Sequence, residues 1–159
     1  MIFSSVQSAL EEQHFRIVDK DHNRPWGGFF VIAEEQAQRF ADVYFDGLDV
    51  SSLKISGKLS PKILIVAPNK RLSWQYHHRR AEIWRVIQGQ AGLVRSNTDS
   101  ENELEILNVG ATITILQSEP HRLVGLEDYA VVAEIWQHTD TDNPSDENDI
   151  VRLQDDFGR

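Results

Sequence analysis

Residues 72–89, LSWQYHHRRAEIWRVIQG, bring two amides, two imidazoles, three guanidinium groups and a single carboxylate into one short stretch. Side chains two apart on an extended strand share a face, so Gln75 and His77 project together while Tyr76 and His78 point the other way. Glu82 follows five residues after His77. A turn at HHRRA, with a second strand beginning near Glu82, brings that carboxylate back opposite His77. His121, in SEPHRL, follows a β-run and a proline that fixes its approach. Two neutral imidazoles, a carboxylate and an amide oxygen suit a borderline divalent ion, with room left for water or substrate. The set Q-x-H…E…H is less specific than H-E-x-x-H, and unrelated polar residues at strand ends would show the same spacing.

The elements that must position these groups are legible from periodicity. SSVQSALEEQHF carries a capping-box pair, Ser4 and Gln7, and predicts a short amphipathic helix within an N-terminal helical extension over 1–23. RPWGGFFVI (24–32) reads as a turn entering a strand. Ala37, Phe40, Ala41 and Tyr44 recur at helical spacing before Gly47, which predicts a second helix inside a helical insertion over 33–60. From residue 61 the period shortens. PKILIVAP, EIWRVIQG, AGLVRS, LEILNVG, ATITIL and YAVVAEIW are short β-rich runs broken by Pro, Gly, Asn or Asp. Such a succession predicts an all-β antiparallel sandwich or barrel with one or two peripheral helices, in a single domain over 1–159.

Sixteen basic residues against twenty-five acidic ones give a net charge of −9. That balance excludes non-specific binding to nucleic acid or to an anionic membrane, and no apolar run approaches the roughly 18–20 residues of a spanning helix. The opening MIFSSVQSALEEQHF has neither the basic nor the apolar region of a secretory signal, and cysteine is absent, so a cytoplasmic setting is expected. Between Lys58 and Arg95, eight basic residues face one acid, Glu82. Read as solvated strand faces they do nothing; read as a pocket they attract a small anion such as phosphate or carboxylate.

These motifs carry a family resemblance. The general cupin spacing is reproduced by Asn69, Gln75-x-His77, Glu82 and Gly89, then by Gly110, Leu116-x-Ser118, His121 and Gly125. RPWGGF, LSWQYHHRRAEIWRVIQGQA, EPHRL and NDIVRLQDDFGR follow one another as in the mannose-6-phosphate isomerases of the type II cupin family, which the chain resembles over 24–32 and 61–159. The resemblance implies a cupin jelly-roll (double-stranded β-helix) barrel. It implies a divalent metal, zinc above other ions, held by Gln75, His77, Glu82 and His121. It also implies a sugar-phosphate ligand, in agreement with the cationic run. There are departures: Leu116-Gln117-Ser118 replaces Pro-x-Gly, Ile83 replaces a histidine after the glutamate, and Arg79 replaces one before Arg80.

The function expected from this set is a metal-dependent sugar-phosphate aldose–ketose isomerase, mannose-6-phosphate isomerase-like. Arg80 and Arg159 are the candidates for phosphate or oxyanion contacts, and His78 for the proton-transferring base despite its strand parity. Arg24, Lys62 and Arg152 stand behind them as substrate-binding residues; for each of these arginines, Arg80 and Arg159 included, a structural salt bridge to the acidic tail is the competing role. Trp74, Trp84 and Trp136 are expected in the core, and Trp26 at a barrel mouth. A non-catalytic sugar-phosphate-binding or regulatory cupin is one alternative. Another metal cupin enzyme, such as an iron oxygenase, is a second, from which Gln75 leans away. Cupins often pair through their sheets, so a homodimer is expected.

Overall fold

The computed structural model describes residues 1–53, 58–140 and 142–158. Helix α1 (Ile2–Glu12) is followed by strands β1 (Ile17–Arg24) and β2 (Gly27–Ile32), then by helix α2 (Ala37–Tyr44). The remaining strands are β3 (Lys62–Val66), β4 (Trp74–Tyr76), β5 (Arg80–Gln88), β6 (Ala91–Arg95), β7 (Glu105–Leu107), β8 (Thr112–Ile115), β9 (His121–Gly125), β10 (Ala130–His138) and β11 (Val151–Gln154). They build two antiparallel sheets, ordered β1-β2-β3-β10-β5-β8 and β11-β4-β9-β6-β7. This is the antiparallel all-β architecture predicted by the strand succession, and the cupin jelly roll that the family resemblance implies. None of the described helices is long and apolar enough to cross a membrane.

The central strands β3 and β10 are buried along almost their whole length because both faces of the first sheet are covered. Ile63, Ile65, Val131, Ala133 and Ile135 pack outward against Val6 and Leu10 of α1 and Phe40 and Ala41 of α2. Leu64, Val66, Ala130 and Val132 pack inward against Leu93 and Leu123 of the second sheet. The period of two thus separates a helix-facing core from a barrel core, and each fully buried large side chain contributes roughly 1.5–3 kcal/mol. The face carrying Leu64 and Val132 also carries Lys62, Glu134 and Trp136, which is how the first sheet reaches the site.

Two local expectations change. Helix α1 starts at Ile2 with Met1 as its cap, so Ser4 is inside the helix and caps nothing. The stretch 17–24 is a strand, not helix; its charged residues suit an edge strand paired on one side only. Gly27, with φ +142°, lets β2 approach β3 so closely that a Cβ there would lie 1.9 Å from the Ile65 carbonyl oxygen. The Arg-Pro-Trp-Gly-Gly turn is therefore a glycine requirement of sheet packing.

Candidate metal centre

The two sheets meet at three side chains. His77 lies one residue past β4, His121 opens β9, and Glu82 stands three residues into β5 on the opposite sheet. Pairing of Gln75 with His121 aligns β4 and β9, while Glu82 faces Trp136 on β10. Ligand atoms of His77, Glu82 and His121 all lie within 4.8 Å of one another, and all three residues are buried. His77 Nε2 is 3.6 Å from Glu82 Oε2, and His121 Nε2 is 3.3 Å from Glu82 Oε1.

Both imidazoles are oriented from behind. His77 Nδ1 donates to the carbonyl oxygen of Asp149 at 2.6 Å, and His121 Nδ1 donates to that of Glu119 at 2.8 Å. Because a carbonyl only accepts, each ring keeps its proton on Nδ1 and presents Nε2 to the cluster, the usual support for a metal-binding histidine. His121 Nε2 is fully enclosed and has no hydrogen-bond partner. An enclosed, unpartnered ring nitrogen beside a second one and a carboxylate is the donor set a divalent ion takes. Gln75 lines the same cavity from the neighbouring strand, its Oε1 accepting from the Ser73 hydroxyl.

Charge placement suits this arrangement. Burial, reinforced by Arg80 and His121, lowers His77 to about 4 against the pull of Glu82, so it is neutral near pH 7. Burial also opposes the charge on His121, but the Glu82 carboxylate beside it wins and raises its affinity for a proton. Glu82 itself is ionised: burial pushes it up, and His77, Arg80 and His121 together bring it well below the usual carboxylate range. Arg80 Nε sits 3.2 Å from Glu82 Oε2. That grip leaves Oε1 directed at His121.

The cluster forms one wall of a cavity of about 370 Å³. Of the expected residues, Gln75, His77, Glu82, Arg80, Lys62, Arg24 and Arg152 all line it, though His121 is enclosed behind them. His78 is not brought there. It is exposed, with its ring edge-on to Tyr76 at 5.2 Å, because strand parity turns it away from His77. Arg159 lies outside the described residues. Arg80 reaches the cavity but is already engaged by Glu82, the Ser145 hydroxyl and the Asp146 carbonyl, with its guanidinium 3.8 Å from the centre of the Trp136 ring. It supports the cluster from behind and is not an open anion site. Lys62 Nζ is held between Glu134 at 3.8 Å and Glu147 at 3.5 Å.

The cationic run does not form a cationic pocket. Only Lys62 and Arg80 from it line the cavity. Arg71, Arg79, Arg85 and Arg95 pair instead with Asp156, Asp146, Asp46 and Glu105. The cavity walls carry Arg24, Lys62, Arg80 and Arg152 against Asp19, Glu82, Glu134 and Glu147. Its open cation is Arg152 on β11, in register with Gln75 and without an ion pair among the described residues.

The turn presenting His121 is rebuilt without Pro-x-Gly. Ser118 adopts φ +60°, donates its amide to the His77 carbonyl at 2.8 Å, and is followed by Glu119, whose amide returns to Leu116. Gln117 donates its side-chain amide to the His78 carbonyl at 2.6 Å. The strand that carries one imidazole is therefore bonded to the turn that carries the other. Asn69, at the other glycine position of the cupin spacing, is likewise left-handed at φ +59°.

Two residues went unnoticed in the sequence. Glu134 is the one charge in AVVAEIWQ, a run buried on both faces, and period two from Val132 puts it in the cavity. That signal was available. Asp149 is buried beneath His77 from 72 residues away, and nothing in local patterning points to it beyond its place in the terminal NDI motif.

The family profile described as mannose-6-phosphate isomerase C-terminal matches residues 33–155, which takes in the 33–60 segment read above as an insertion. Alginate biosynthesis protein AlgA of Pseudomonas aeruginosa is 32% identical over 124 residues, covering 78% of this chain and 24% of AlgA. Xanthan biosynthesis protein XanB of Xanthomonas campestris pv. campestris is 27% identical over 141 residues, 86% of this chain and 23% of XanB. The chain spans about a quarter of the length of these curated relatives. The solved structure of the capsular polysaccharide assembling protein CapF from Staphylococcus aureus matches 88% of this chain and 34% of its own, with TM-score 0.54 and 14% identity, a likeness of fold.

Proposed function

The chain belongs to the mannose-6-phosphate isomerase C-terminal family, and we propose that it acts as a metal-dependent aldose–ketose isomerase of a sugar phosphate, with mannose 6-phosphate as the first substrate to try. The observation that carries this reading is the convergence of His77, Glu82 and His121, with both imidazoles turned Nε2-inward by backbone carbonyls.

Gln75, His77, Glu82 and His121 would hold a zinc ion, which would supply Lewis acidity toward a substrate carbonyl. The protein supplies the rest. Arg80 keeps Glu82 ionised and fixes which of its oxygens faces His121. Arg152 and Arg24 line the cavity from strands β11 and β1, where a phosphate takes charge-assisted hydrogen bonds from guanidinium groups. Trp26, Phe29 and Leu72 give the cavity an apolar side that displaces water from the sugar.

A second reading has its own observation. Arg80 Nη2 lies 3.4 Å from His77 Nε2, so a guanidinium sits where it competes with an ion for that nitrogen. A sugar-phosphate-binding cupin without turnover fits that contact. Metal analysis of the purified protein, followed by a coupled assay of mannose 6-phosphate to fructose 6-phosphate, separates the two. Stoichiometric zinc with turnover supports the isomerase. Tight sugar-phosphate binding with neither zinc nor turnover supports the binding module and removes the isomerase.

A further inference from the structure

Moving a carbonyl between adjacent carbons requires a group that lifts a proton from one carbon and returns it to the other. None of the residues assigned so far is free for it: His77, Glu82 and His121 form the candidate metal set, Arg80 is bound to Glu82, and His78 faces solvent. Four described carboxylates line the cavity. Asp19 and Glu147 are exposed, and Glu82 belongs to the cluster. Glu134 remains, 5% exposed on the interior face of β10.

We propose that Glu134 is the proton-transferring residue, taking the proton from C2 of the bound aldose phosphate and delivering it to C1. The proposal rests on the isomerase reading of the same cavity.

Three strands fix this carboxylate. β10 pairs Glu134 with Trp84 on β5 and with Lys62 on β3. Oε1 accepts from Trp84 Nε1 at 3.0 Å, and Oε2 stands 3.8 Å from Lys62 Nζ, beyond hydrogen-bond reach. One oxygen is thus anchored while the other keeps a lone pair for a C–H proton. The Trp84 ring that anchors it packs edge-on against His121, with centroids 5.7 Å apart, so the carboxylate and the cluster share a wall. Burial above all, then the charge of Glu82, pushes the carboxyl up to about 7 against the opposing charges of Lys62 and Arg80.

The step balances without an oxidant. The C2–H bond breaks, its electron pair forms the C1–C2 double bond, and the carbonyl electrons move to O1. The O2 hydroxyl proton passes to O1, the Glu134 proton is delivered to C1, and C2 becomes the carbonyl carbon. One proton is carried and the carboxylate is regenerated.

The test compares zinc-loaded wild type, Glu134→Gln and Glu134→Asp by thermal melting, zinc content, conversion of mannose 6-phosphate, and incorporation of solvent deuterium at the transferred position. Wild type is expected to turn over. Glu134→Gln keeps an acceptor for Trp84 and is expected to melt and load zinc as wild type, with KM within a few-fold and kcat lower by about 10²–10⁴-fold. Glu134→Asp, whose carboxylate recedes by one methylene, is expected to fall between them. A wild type that never isomerises sinks the isomerase reading and this inference with it. A wild type that turns over beside a Glu134→Gln variant of equal kcat overturns the inference alone. Should Glu134→Gln fail to fold, wild-type kcat in Glu134→Asp overturns it as well.

Discussion

His77 is oriented by Asp149: its Nδ1 donates to the Asp149 carbonyl at 2.6 Å, while the Asp149 carboxylate accepts the amides of His78 and Arg79 at 2.9 and 3.0 Å. A single residue of the C-terminal segment therefore sets both the ring and the turn that follows it. The Ser145 hydroxyl donates to the same carboxylate at 2.6 Å, so the pin is itself held.

Replacing Asp149 by Ala removes three hydrogen bonds to a buried carboxylate. The expected cost is about 3 kcal/mol in urea unfolding, from charge-assisted bonds lost and two backbone amides left unpaired. Zinc affinity, measured by competition with a chromophoric chelator, is expected to fall at least tenfold, the scale of outer-partner substitutions at metal sites. Unchanged affinity in a folded variant would show that the carboxylate's grip on the turn is not needed to hold the Asp149 carbonyl against the ring.

Ser118→Gly relieves a left-handed residue without touching its amide bond to His77, which is made by the backbone. Relief of about 1–2 kcal/mol is partly offset by the extra freedom of glycine in the unfolded chain. The net expectation is a gain of about 1 kcal/mol, a rise of roughly 2–4 °C in Tm. Asn69→Gly is expected to gain less, because asparagine tolerates this conformation.

Acid weakens the C-terminal clasp through Asp156. Its paired hydrogen bonds from Arg71, then the Gln154 amide, hold this carboxyl below the usual carboxylate range. The folded chain therefore releases that proton more readily than the unfolded one. The contribution is complete above the unfolded value near ~4 and is lost as pH falls through the lower folded value. The Tm difference between wild type and Asp156→Asn is expected to be constant above about pH 5 and to shrink with acidification. A difference that grows in acid contradicts the clasp.

Arg80→Met strips the buried Glu82 of its guanidinium partner. Breaking a buried pair by removing one member costs about 3–5 kcal/mol, and a thermal melt in chelator should show it. Saturating zinc is expected to recover part of that loss, since binding to the folded state alone stabilises it. A variant equally impaired with and without zinc would argue that the cluster takes no ion.

The strand succession was readable because β3, β5, β6, β8 and β10 alternate or run apolar between clear breakers. Strand β1 was not: IVDKDHNR carries the charges of an exposed edge, and only its pairing with β2 makes it a strand. Among site residues, strand parity alone put Gln75 and His77 on one face and His78 on the other, and in the structure the first two line the cavity while His78 is exposed. The eight clustered cations misled because nearness in sequence says nothing about face, and alternate residues of β5 and β6 point to opposite sides. Arg80 went further: its parity was inward, but its partners Ser145 and Asp146 come from a distant loop that no local pattern announces.

The reach from Asp149 back to His77, 72 residues along the chain, also has a temporal meaning. During synthesis the histidine leaves the ribosome long before the carbonyl that aligns it, and early zinc capture would meet an imidazole free to spin. Loading of the proposed metal would then be a late event, deferred until the chain folds back across the barrel.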